Sequence, residues 1–166
     1  TVQSGTVLAR RPGESSFTPV NQPASFPVGT VVDARKGVVR ITAIVKGKTY
    51  FADFSEGVFQ ITQRQNAATA DIRLFGGSFK GCPKGVKIAA RKKSIRHLWG
   101  QGSGPFRTVG RFSSATVRGT RWLTDDQCTG TLTRVTEGSV LVRDYVKQKS
   151  VLLKAGKSYF ARAKKR

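Results

Sequence analysis

The chain has 166 residues, enough for one core of ordinary size or two small ones, and 38% apolar residues with ten Phe, two Trp and three Tyr exclude wholesale disorder. Thirty Lys and Arg face nine Asp and Glu, a formal +21 that favours an anionic partner: nucleic acid, a wall or capsule polymer, an anionic membrane surface or an acidic protein. No apolar stretch approaches the ~20 residues of a bilayer span, which predicts no membrane crossing, and Thr1 does not open a signal peptide, which predicts a mature or excised segment.

Short runs rich in Val, Ile, Thr and Phe, separated by Gly or Pro, predict strands at 5–9, 29–34, 37–45, 49–54, 57–62, 70–75 and 77–79. Their spacing is that of sandwiches and barrels, so the expected fold class is all-β. Residues 38–45 are nearly continuous in apolar character, as in a strand covered on both faces.

From Lys84 to Arg111 the pattern changes to eight Lys or Arg, no acid, and the Gly-rich passage GQGSGP at 100–105. This predicts a basic connector, residues 84–112, between a first β segment, 1–83, and a second, 113–166. Ile88, Ile95 and Trp99 fall on one side of a helical wheel, so residues 87–98 are expected either as a short amphipathic helix or as an extended basic loop. In both cases the segment is expected on the surface, held down by Ile95, Leu98 and Trp99, because its charge density opposes burial.

A second strand series is expected at 115–124, 130–136, 138–144, 149–154 and 157–162, with period-2 alternation clearest around Leu132 and at Val140 and Val142. The last residues, ARAKKR, read as a solvated basic tail able to grip a polymer. The halves echo each other. Gly29-Thr30 leads to Glu56-Gly57, and Gly119-Thr120 leads to Glu137-Gly138, each pair reading as a hairpin corner.

The motifs VRGTRWL at 117–123, VTEGSVLV at 135–142 and VLLKAGKSYFA at 151–161 resemble the FecR-type domain. GTVLARRPG at 5–13 and PVGTVVDARKGVVRIT at 27–42 resemble the same frame in looser form. The arrangement is also similar to tail regions of secreted bacterial multi-domain proteins, with cysteines near the places of Cys82 and Cys128. The resemblance implies an extracytoplasmic β module used in signalling or surface assembly.

Cys82 and Cys128 are the only cysteines. An even pair in a small β chain suits one disulfide, with two reduced buried thiols as the alternative. With the extracytoplasmic resemblance the disulfide is expected, at roughly 4–5 kcal/mol on the chain-entropy model.

Little else carries chemistry. His97 is the only histidine and stands among cations in SIRHLWG, so it reads as a residue packed beside Trp99 rather than a catalytic base. Asp125 and Asp126 are adjacent and read as a polar turn before Cys128. No zinc set, P-loop or dinucleotide fingerprint is legible, so no enzyme activity, cofactor or metal is expected. What remains is charge beside aromatics: Arg91, Lys92, Lys93 and Arg96 near Trp99 and Phe106, then Arg107, Arg111, Arg118 and Arg121 around Phe112 and Trp122. Trp122 is expected in the core. Arg91, Lys92, Lys93, Arg96, Arg107 and Arg111, with Lys164, Lys165 and Arg166, are the expected contacts to an anionic partner.

The expected function is a non-enzymatic extracellular structural or surface-assembly module, a possible fibre or array subunit, whose basic face meets an anionic polymer or acidic partner. Its expected partners are itself or another surface protein. A nucleic-acid-binding protein is the alternative, and an envelope signalling domain of FecR type the third.

Overall fold

The computed structural model describes residues 1–62, 68–82 and 93–164. Every regular element among them is a strand: β1 Val2–Arg10, β2 Thr18–Pro19, β3 Val31–Val45, β4 Lys48–Ser55, β5 Val58–Thr62, β6 Ala70–Leu74, β7 Ser94–Gly102, β8 Phe106–Val109, β9 Ser113–Gln127, β10 Gly130–Asp144, β11 Lys149–Lys154 and β12 Ser158–Arg162. No described helix is long and apolar enough to cross a membrane.

Seven strands close a barrel in the order β3, β5, β6, β8, β9, β7, β4 and back to β3. All pairings round this ring are antiparallel except β6 with β8. β1 lies along the outer edge of β3 and carries β2, while β10 lies along the outer edge of β9 and carries β11 and β12. Closure removes such edges within the ring, while β11 and β12 outside it each pair only with β10 among the described residues.

The barrel interior is aromatic. Phe54 is fully buried, with ring centroids 5.4 Å from Phe59, 6.0 Å from Phe106 and 6.1 Å from Trp122, the last edge-on. The Trp122 indole N–H donates to Thr108 Oγ1 at 3.1 Å, and Thr108 shares a hydrogen bond with Thr124 at 2.8 Å, so the polar atoms taken into the core are partnered. Val32, Val39, Ile72, Leu74 and Leu98 fill the remaining space, and Val135, Val140 and Val142 extend the same cluster under β10.

Three strands run for fifteen residues each, where the sequence pattern suggested shorter pieces, and each switches its inward-facing set at a glycine. In β9 the buried positions pass from Ala115 and Val117 to Trp122, Thr124 and Asp126 across Gly119. In β10 they pass from Thr133 and Val135 to Val140 and Val142 across Gly138, and in β3 from Val32 and Ala34 to Val39 and Ile41 across Gly37. Gly138 has φ of 67°, and a Cβ there would lie 1.9 Å from the Gly119 carbonyl oxygen, so no other residue fits this crossing. Runs 29–34 and 37–45 are therefore one strand, as are 130–136 and 138–144.

The pairing order around β3 recurs around β9. β4 pairs with the second half of β3; after Glu56-Gly57, β5 pairs with its first half; β6 then joins β5 and β7 joins β4. β10 performs both roles against β9 as one strand bent at Glu137-Gly138, with β11 on its second half and β12 on its first.

The stretch expected as a surface connector differs most. Residues 83–92, including most of the expected helix, lie outside the described residues. From Ser94 onward the chain is strand, and β7 and β8 are staves of the barrel, with Leu98 and Phe106 fully buried. The expected strand at 77–79 carries no ladder; its Phe79 ring instead lies against Arg96 and Arg111.

Candidate basic cleft

The alternation of β6 sends Ile72 and Leu74 into the core and leaves Asp71 and Arg73 on the outer face. The parallel register sets Asp71 opposite Arg107 of β8. Arg107 clasps the carboxylate bidentately, Nε–H donating to Oδ1 at 2.9 Å and Nη2 to Oδ2, while Thr69 Oγ1 donates to Oδ1 at 2.9 Å. The bond to Asp71 raises the Arg107 pKa further above its ordinary value.

A second carboxylate organises the neighbouring wall. Asp126 in β9 has no exposed surface; it accepts Arg96 Nε–H at 2.8 Å, the Arg111 backbone N–H at 2.9 Å and Thr131 Oγ1–H at 2.6 Å. One buried acid thus ties β7, the β8–β9 turn and β10 to β9. Gly110 lets this happen, because a Cβ there would lie 2.7 Å from Asp126 Oδ1. Arg96 also donates to the Gly76 carbonyl at 3.2 Å, and the Arg111 guanidinium sits 4.4 Å from the Phe79 ring centroid and 5.3 Å from that of Phe112.

Asp71, Arg73, Arg96, Arg107, Gly110 and Arg111 line one cleft of about 600 Å³ with Val28, Thr62, Val109 and Tyr145, and Asp126 lies behind its wall. Arg73, Arg96, Arg107 and Arg111 face it, and only Asp71 and Asp126 neutralise any of them, leaving a formal excess of two positive charges. All nine acids of the chain lie among the described residues, and none forms an ion pair with Arg73 or Arg111.

No family model, curated protein or solved structure matches this chain.

Of the expected contact residues, Arg96, Arg107 and Arg111 converge on the cleft. Lys93 is exposed just ahead of β7, and Lys164 is exposed beyond β12, beside Ala163, whose N–H bonds to the Thr129 carbonyl. Neither lines the cleft. Arg91, Lys92, Lys165 and Arg166 lie outside the described residues.

Arg73, Asp71 and Tyr145 were not anticipated. The signal for the first two was present in ADIRLF, where acid and arginine two apart in a strand must share a face. Asp125 and Asp126, expected as a polar turn, lie inside strand β9, which ends at Gln127; Cys128 and Thr129 make the turn. Asp125 is nearly buried on the opposite face from Asp126 and accepts the Gln127 side-chain N–H at 2.8 Å.

Cys82 and Cys128 form the chain's disulfide, with Cα atoms 5.2 Å apart across 46 residues. A bonded pair indicates a non-reducing environment. His97 is half-buried on the same face of β7 as Trp99, with Nδ1 3.2 Å from Ser94 Oγ and Nε2 4.0 Å from Glu56. Trp122 is fully buried, whereas Trp99 is half-exposed with Arg121 stacked 5.1 Å from its ring centroid.

Proposed function

We propose that the chain is a non-enzymatic extracytoplasmic β module that presents an ordered basic surface to an anionic polymer or acidic partner at a cell surface. The observation that carries this reading is the use made of the acids. Five of the nine carboxylates, Glu14, Asp33, Asp53, Asp71 and Asp126, are each paired with one arginine, which fixes those five arginines and leaves the other Lys and Arg facing only four acids, so the whole excess of +21 stays with unpaired cations. A surface so charged and so fixed suits a polyanion, since ordering costs less on binding when the cations are already placed.

Two features support the FecR-like frame of two related segments. Gly37 precedes Gly57 by 20 residues and Gly119 precedes Gly138 by 19, so Gly37 rather than Gly29 is the counterpart of Gly119. The strand-pairing order about β3 and β9 is the same. The disulfide supports an oxidising, extracellular setting.

Assembly follows from the edges. Among the described residues β11 and β12 each pair only with β10, leaving one edge open, and Lys149, Lys154, Lys157 and Arg162 surround those edges. Lysine-rich edges resist self-pairing until their charge is neutralised, so the module assembles on a polymer rather than alone. The nucleic-acid alternative is weakened because Trp122 is buried and Trp99 is capped by Arg121, leaving neither indole as a free stacking platform.

Light scattering and negative-stain imaging with and without poly(glycerol phosphate) test this. The expected result is a monomer alone and larger particles, fibres or arrays with polymer. A chain that stays monomeric and binds no polyanion at low salt contradicts it.

A further inference from the structure

We propose that the cleft between β6, β8 and the β8–β9 turn is a phosphoryl-binding site, engaging the charged oxygens of a phosphate group through Arg73, Arg111 and Arg107. The inference deepens the polyanion reading above and rests on it.

Two of the four arginines are already committed. Arg96 spends Nε–H on Asp126 and an Nη–H on Gly76, so its role is to hold the wall. Arg107 spends Nε and Nη2 on Asp71, which leaves Nη1 as a donor in a fixed orientation. Tyr145 lines the same cleft. Arg111 has its backbone pinned by Asp126 and its guanidinium laid over Phe79 and Phe112, so its plane is set while all of its side-chain N–H groups stay outside any ion pair. Arg73 is exposed and has no carboxylate partner.

Two unpaired guanidiniums and a third with a spare donor therefore converge from β6, β8 and the following turn. A single planar carboxylate is satisfied by one bidentate arginine, as Asp71 is by Arg107. Guanidiniums approaching from several directions suit the several oxygens of a tetrahedral phosphate. The volume of about 600 Å³ exceeds what one phosphate fills and accommodates the units on either side of a phosphodiester. Asp71 and Asp126 are part of the design rather than competitors, because both are already saturated by arginine, threonine or backbone donors.

The test uses the full chain, with the arginine Nε–Hε resonances followed by NMR during titration with inorganic phosphate and, separately, with short poly(glycerol phosphate). Saturable shifts at Arg73, Arg107 and Arg111 that sodium chloride at equal ionic strength does not reproduce are expected. If both ligands saturate, the source is the polymer's phosphodiester; if inorganic phosphate alone does, the site serves free phosphate.

The double variant R73Q/R111Q should lose at least tenfold in affinity for the polymer, against less than twofold for K46Q/K48Q at the exposed β3–β4 turn, which lies outside the cleft. Neither substitution touches the Asp71–Arg107 or Asp126–Arg96 pairs, and R73Q alone, at an exposed position, keeps the comparison clean should the double variant melt early. If R73Q/R111Q and R73Q bind the polymer as tightly as the parent, the cleft assignment is overturned while the polyanion reading stands. If the parent binds no polyanion, both fall.

Discussion

Asp126, without exposed surface, receives the Arg96 Nε–H at 2.8 Å from a residue 30 positions earlier, and the two close the contact between β7 and β9. An acid so buried tolerates its charge only because the arginine and two further donors surround it. Asp126→Asn leaves Arg96 without its counter-ion and should cost about 3 kcal/mol, the lower part of the range for broken buried pairs because the arginine retains some contact with water. Urea unfolding measures it: the midpoint should fall with the slope unchanged.

The disulfide spans 46 residues and closes a loop that contains β7, β8 and β9. Its loss should remove about 4 kcal/mol on the chain-entropy model. Melting curves with and without reductant, beside intact mass under alkylating conditions, check this. Two alkylatable thiols in the untreated protein would contradict the bond.

Stability against pH should have a readable alkaline limb. Burial first, and then the hydrogen bond to Asp144 at 2.7 Å, push the Tyr159 hydroxyl up to about 12. A folded pKa above the unfolded value of about 10 means the contribution is complete below pH ~10 and is lost as pH rises through about 12. At the acid end, Arg35 holds the Asp33 carboxyl below its usual value. Burial pushes Asp144 up, but the Lys147 N–H, the Tyr159 hydroxyl and the Val146 N–H outweigh it, so its pKa also falls. Both carboxylates contribute above the unfolded pKa of about 4 and lose that contribution as pH falls through their depressed values. Tyr159→Phe should flatten the alkaline limb and, by removing one donor to Asp144, reduce that residue's share of the acid limb while leaving the Asp33 share in place. An unchanged alkaline limb in that variant contradicts the assignment.

Trypsin should spare Arg96 and Arg107 in the folded protein. Both lie in barrel strands with their guanidiniums bound to carboxylates, so cleavage there requires unfolding of the β7 or β8 ladder. Peptide mapping after brief digestion checks this. Early cuts at either arginine would restore the surface connector that the charge pattern suggests.

Strand existence was legible wherever β-branched residues alternated with polar ones, as at Val140 and Val142. Strand length was not. A glycine such as Gly138 reads as a corner, yet here it lets a continuous strand cross its neighbour while the inward set changes parity. β7 was hidden for another reason. Its inward positions are Arg96, Leu98 and Gly100, so a charge aimed at buried Asp126 and a residue without a side chain mask the alternation. Ile95 and Trp99, which suggested a helical stripe, lie on the outer face. The cleft was only half legible, because Arg107 and Arg111 are conspicuous in sequence while their convergence with Arg73 depends on the parallel β6–β8 pairing.

Nucleic-acid readout through stacking makes a distinct demand on Trp99. With Arg121 over its ring, Trp99→Ala should change affinity for single-stranded DNA less than twofold, against the roughly 1–3 kcal/mol lost when a true stacking platform is removed. Fluorescence titration of parent and variant measures the difference.

Electrostatic capture of a polyanion by a basic surface is tested most directly by the salt dependence of binding. Affinity for poly(glycerol phosphate), heparin and DNA should each be measured from low to near-physiological salt and plotted as log affinity against log salt concentration. A linear, steep fall for all three, with little preference among DNA sequences, is the predicted result. Base-selective binding to DNA that persists at high salt would contradict it and place the nucleic-acid function first.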